Sequence, residues 1–225
     1  MLKRKLSILA IASLGLSPTL HADCVTEAMT AMPYFDASKG ELVMPLVELG
    51  ATPSGDAEFL ATRLQYQANS NPIRFKLNTH LDNPGSDCED VSIPLPVFDM
   101  DTQELSIPSL ALPKGVDEVS FHSAKLALQG GFLVLVAGSL EDAEGRYSGV
   151  VYNQETQQPL KDANVSLNGV ASEQPTNGAG HFTITGIGNS ICQTLTINGA
   201  GFAPVVKEVD IRFGGLTACT SKAGE

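Results

Sequence analysis

Apolar and polar residues alternate along much of the chain with the period of two that marks half-buried β-strands, and one such pattern occurs twice. Phe35 to Leu49, FDASKGELVMPLVEL, returns as Phe98 to Leu112, FDMDTQELSIPSLAL, at a constant offset of 63 residues. Phe, Asp, Glu, Leu, Pro and the last Leu are identical, and Met44/Ile107 and Val47/Leu110 are close in size and polarity. An internal duplication is the simplest account. It extends backwards, with Pro33 matching Pro96 and Asp23-Cys24 matching Asp87-Cys88 one residue out of step.

Within the repeat the parity changes. Leu42/Met44 and Leu105/Ile107 keep a spacing of two, but Val47/Leu49 and Leu110/Leu112 restart three residues later. A regular strand would turn the second pair to the opposite face. A bulge at Pro45 and Pro108 returns both halves to one core, because proline donates nothing to a ladder and belongs at edges or bulges. In the first copy the strands expected are Glu41 to Leu49, Glu58 to Gln67 and Ile73 to Leu77, the last with a wet face at Arg74 and Lys76. The second copy follows with Glu104 to Leu112, Val119 to Gln129 and Phe132 to Val136. The last of these is apolar throughout, which predicts cover on both faces by the other domain.

Asp36 and Asp99 stand between an aromatic and the next strand, where an Asx turn uses the carboxylate to accept backbone N–H groups. Asp99, Asp101 and Glu104 are the weak candidates for a calcium loop. A hard cation wants six or more oxygens, and the first copy offers only Asp36 and Glu41.

From Leu140 to Arg146 the chain is polar and acidic, the composition of a short linker. Beyond it Val150/Tyr152, Ala163/Val165/Leu167, Phe182/Ile184 and Leu195/Ile197 alternate with polar residues between closely spaced turns. That pattern predicts a compact antiparallel sandwich. Gly149, Val151, Pro159-Leu160, Ala163, Val165, Leu167, Thr176, Gly180, Phe182, Ile184, Gly186 and Ile187 follow a recognisable order. In it the segment resembles the carboxypeptidase regulatory-like domain, a transthyretin-like seven-stranded β-sandwich. Phe202 replaces the usual Tyr, Asn177 the usual Asp, and Gly188 to Cys192 a common Pro-Gly-x-Tyr turn. The resemblance implies a scaffold without catalytic residues of its own.

The expected fold is therefore all-β, with an antiparallel domain of two repeats followed by the transthyretin-like sandwich. The expected division is 1–22 signal peptide, 23–140 duplicated domain (copies about 23–86 and 87–140), 141–146 acidic linker, 147–215 sandwich and 216–225 tail. Lys3-Arg4-Lys5, the apolar run Leu6 to Leu16 and Leu20-His21-Ala22 read as a secretory signal, and the run is too short to span a bilayer. Asp23 before Cys24 argues against lipidation. Removing the signal takes away three of the 14 cations and leaves 11 against 25 acids, a formal −14. Nucleic acid and membrane insertion are excluded as expectations.

Cys24, Cys88, Cys192 and Cys219 with an export signal fit two disulfides in a periplasmic or extracellular compartment. The duplication favours Cys24–Cys88 and Cys192–Cys219. No CxxC spacing suggests zinc.

Catalytic motifs are missing from the linear sequence. His80, His122 and His181 lie far apart without an HExxH neighbourhood, and there is no GxSxG elbow, SxxK or GxxxxGK loop. No cofactor is implied. The absence of Trp and the four tyrosines weaken a sugar-stacking reading. The expected function is an exported, non-enzymatic binding or structural module, a monomeric accessory protein acting through an unidentified protein or surface ligand. A hydrolase of unrecognised type and a surface adhesion or assembly subunit are the alternatives, since a fold can assemble a dispersed triad.

Overall fold

The computed structural model describes residues 4–5, 32–50, 58–81, 95–153, 156, 158–213 and 219, and within them the chain is all-β apart from one short 3-10 turn, Ile211–Phe213. A two-residue strand β1 (Arg4–Lys5) pairs in parallel with β16 (Phe202–Ala203). The first copy forms β2 (Tyr34–Asp36), β3 (Glu41–Leu49), β4 (Glu58–Tyr66) and β5 (Arg74–Leu81). The second forms β6 (Val97–Asp99), β7 (Glu104–Lys114), β8 (Glu118–Gln129) and β9 (Phe132–Leu135).

These eight strands close into a barrel. Antiparallel pairing runs β3–β4–β5–β9–β8–β7, and the short strands fill the remaining gap. β2 lies antiparallel to β3, with Tyr34 opposite Val43, and parallel to β7, with Tyr34 opposite Ala111. β6 lies antiparallel to β7, with Phe98 opposite Leu105, and parallel to β3, with Phe98 opposite Leu49. Each copy therefore lends its short strand to the other. The ladder breaks register between Met44 and Val47 and between Ile107 and Leu110, at the two prolines where the parity change requires a bulge. Leu42, Met44, Val47, Leu105, Ile107 and Leu110 all reach one core with Leu64, Phe75, Ala124 and Leu126.

The strand β9 is not covered by the other domain. Leu133 and Leu135 pack against the barrel core, and outside it the Arg74 guanidinium lies 4.8 Å from the centre of the Phe132 ring. The sandwich instead meets the barrel at Ala111, Val119 and Phe121, residues from the outer parity of β7 and β8.

The sandwich has two sheets. β11 (Arg146–Val150) pairs with β14 (His181–Thr185). The second sheet runs β13 (Val170–Ala171), β12 (Asn164–Leu167), β15 (Cys192–Asn198), β17 (Val205–Asp210). Val165, Leu167, Leu195 and Ile197 of the second sheet share a core with Tyr147, Phe182 and Ile184 of the first. Cys192 is bonded to Cys219, tying the tail beside the last sheet. Cys24 and Cys88 lie outside the described residues.

The acidic segment joining the two parts is bound along its length. β10 (Glu141–Asp142) pairs with β8, Ala143 N donates to Phe121 O at 3.0 Å, and Ser109 Oγ donates to Glu144 O at 3.1 Å. Val119 N to Asn189 O (2.8 Å) and Ile191 N to Asp117 O (3.0 Å) add direct ladder bonds between barrel and sandwich. Composition alone suggests a free tether, but satisfied backbone groups and the apolar contact hold it down. Gly145 sits at the tightest point: a Cβ there would fall 2.5 Å from the Phe121 ring and 2.8 Å from Ile187 Cγ1.

A Gly145→Ala change is expected to cost about 1–3 kcal/mol through overpacking. Gly188→Ala, where nothing lies within 4 Å of a new Cβ, is the control. Urea unfolding should show a lowered midpoint for the first and little change for the second. Equal midpoints would mean that the two parts do not unfold as one packed body.

Candidate functional site

The barrel core is unevenly filled. At the end where β3 finishes and β6 and β7 begin, the interior opens into a cavity of about 250 Å³. Its floor is Met44, Thr62, Leu64 and Leu105, of which Met44 is fully buried. Val47, Leu49, Leu60, Phe98 and Leu133 form the wall. The rim carries Leu77, Met100 and Leu128, exposed at 45%, 55% and 40%, with Gly131 beside them. Alternation puts these residues inside: β3 and β7 turn every second residue inward on each side of the bulge, and the Gly130-Gly131 hairpin supplies the two positive φ angles a tight turn needs. The lining contains no ionisable side chain and one hydroxyl, that of Thr62. Such a surface binds by excluding water from apolar matter.

The opposite end is closed by aromatics. Phe35 and Tyr66 meet edge-on with centroids 6.4 Å apart, and Tyr66 and Phe75 meet at 5.9 Å. Phe35 corresponds to Phe98 in the repeat, and Tyr66 corresponds to Leu128. Phe75 lies directly opposite Leu133 where the two halves join, which makes them counterparts about the local twofold.

Asp99, Asp101 and Glu104 do not assemble a cation cage. Asp99 Oδ1 accepts from Asp101 N at 2.8 Å and Thr102 N at 3.0 Å, as an Asx turn does. Asp36 repeats the arrangement with Ser38 N at 3.0 Å and Lys39 N at 3.3 Å. Among the described residues no group of three or more His, Cys, Asp or Glu side chains could hold a metal. His80 lies on β5 opposite Thr62, and His181 is half-buried on β14.

His122 is not isolated. Its Nε2 lies 2.9 Å from Ser120 Oγ and its Nδ1 lies 3.4 Å from Asp142 Oδ1. The atoms follow the order of a Ser-His-Asp relay. Asp142 is fully exposed, however, and the contact is longer than a charge-assisted hydrogen bond, so water competes for the orienting role. None of the three lines the cavity. The spacing of Ser120 and His122 on a predicted strand already put them on one face, whereas the return of Asp142 depends on how the linker docks. No family model matches the chain, and neither a curated protein nor a solved structure does.

The two turn carboxylates should govern the acid limb of stability. Burial works against the charge of Asp36, but hydrogen bonds from Ser38 and Lys39 and the Lys39 ammonium 3.1 Å away outweigh it and hold the carboxyl below the ordinary 3.8. Backbone donation from Thr102 and Asp101 lowers Asp99 likewise. A depressed folded-state pKa contributes stability that is complete above the ordinary value and lost as pH falls through the folded one. Asp36→Ala should therefore cost about 1–3 kcal/mol at neutral pH, with the difference from the parent shrinking below about pH 4. Urea midpoints of the two proteins across pH 2–7 check this, and a gap that widens on acidification would refute it.

Proposed function

We propose that the chain is an exported, non-enzymatic binding module that holds an apolar ligand in the open end of its barrel. One observation carries the reading: the cavity of about 250 Å³ is lined by apolar side chains and opens through a rim of exposed Leu77, Met100 and Leu128. Large apolar side chains left in water at a cavity mouth cost free energy that a bound apolar molecule recovers. The Lys3 to Leu16 pattern and the Cys192–Cys219 disulfide support export. No helix among the described residues is long and apolar enough to cross a membrane. The sandwich, read as a scaffold of the carboxypeptidase regulatory-like kind, braces the barrel through β7 and β8 and leaves the mouth uncovered.

A cavity of about 150 Å³ lined by Leu, Ile and Phe takes benzene. Toluene and 1-hexanol should therefore bind in saturable, one-to-one fashion and raise the melting temperature. Titration calorimetry with a thermal-shift series tests this. A folded protein that shows no saturable response to either probe would remove the binding function.

The relay of Ser120, His122 and Asp142 gives the hydrolase reading its one specific observation. It ranks second because the exposed carboxylate orients the ring weakly and none of the three residues lines the apolar cavity. Turnover of a panel of p-nitrophenyl esters should be no greater than that of the Ser120→Ala and His122→Ala variants. Ester cleavage lost in both variants would reverse the ranking.

A further inference from the structure

Resting on the binding reading above, we infer that the open end selects a free, uncharged, medium-length aliphatic chain inserted tail-first, and that Leu128 and Leu133 create the selectivity by standing where the closed end has Tyr66 and Phe75. The two ends descend from one pattern and differ in what fills them. At the closed end the Tyr66 ring meets Phe35 on one side and Phe75 on the other. At the open end Phe98 remains, but the other two rings are replaced by leucines, and Gly131 stands where Ile73 stands in the first copy. Leu128, Gly131 and Leu133, the positions where the two rings and the Ile side chain are missing, all line the void.

The shape of the void sets the ligand. Exposure falls from 55% at Met100 on the rim to 0% at Met44 on the floor, so the cavity is a socket with one wet end. A polar group carried to the floor would find the Thr62 hydroxyl and no ionisable partner, at a desolvation cost that leaving it at the rim avoids. The polar end of the ligand therefore stays outside. A carboxylate at the rim would meet a protein of formal charge −11 with no cation in the lining, which disfavours a fatty acid against its alcohol. Scaling from the cavity that admits benzene, the volume accommodates roughly ten carbon atoms.

Calorimetric titration of the full chain with 1-decanol and with decanoate at pH 7, on the parent and on Leu128→Tyr/Leu133→Phe, tests the inference. The parent should bind 1-decanol one-to-one and decanoate about tenfold more weakly or worse, roughly the step of one hydrogen-bond-sized penalty. The double variant, whose rings restore the closed-end set, should lose about tenfold or more in 1-decanol affinity while its melting temperature holds or rises. Leu133→Phe alone should show a smaller loss and serves if the double variant fails to fold. Equal binding of decanoate, or unchanged binding by folded variants, would overturn the inference while toluene binding still upheld the broader function. Failure of every apolar probe would overturn both.

Discussion

Each long strand of the barrel has to serve two partners in succession, and the proline bulge is what allows it. In β3, residues 41–43 pair with β2 and residues 48–49 pair with β6, with Pro45 between them. β7 does the same in the opposite order around Pro108. Side-chain parity along a strand is strict, so an unbroken β3 that buried Leu42 and Met44 would expose Val47 and Leu49. One extra residue resets the parity, and placing proline there removes a backbone donor whose partner the bulge takes away. Barrel closure, the single interior core and the socket at its end all depend on that reset.

The outer parity of the same strands does separate work in the second copy. Ala111, Val119 and Phe121 face away from the barrel interior and join the sandwich core, so two hydrophobic interiors meet through one shared sheet. Gly145 lets the connecting chain pass close over the Phe121 ring, and the 3-10 turn at Ile211–Phe213 lies against β2 and β7 from the far end of the sandwich. The Arg212 guanidinium holds Asp210 at that turn through Nε at 3.0 Å, a side-on pairing that fixes the terminus of β17. Contacts from both ends of the sandwich make its placement on the barrel a property of packing and not of the linker.

Much of this architecture is written locally in the sequence. The duplication, the parity change at Pro45 and Pro108, the Asx turns and the sandwich alternation are short-range patterns, and the Cys192–Cys219 bond follows from the strands it flanks. What was not legible depends on pairing between distant segments. The exchange of β2 and β6 leaves no periodic trace, because a three-residue strand looks the same whichever neighbour it joins. The acidic composition of 141–146 reports solvent exposure of its side chains but says nothing of its backbone bonds. The cavity is a difference between copies, and Leu128 or Leu133 becomes informative only once the fold shows which ring each one replaces.

The exchanged strands also give the barrel the connectivity of a dimer held in one chain. Neither half can close by itself, since each lacks the edge that the other provides. Two identical halves would have produced two identical mouths, both open or both shut. Joining them in one polypeptide lifts that symmetry requirement, because each copy then carries its own residues at its own end. One mouth can be sealed for rigidity while its counterpart stays available, a division of labour that a true homodimer of such halves could not encode.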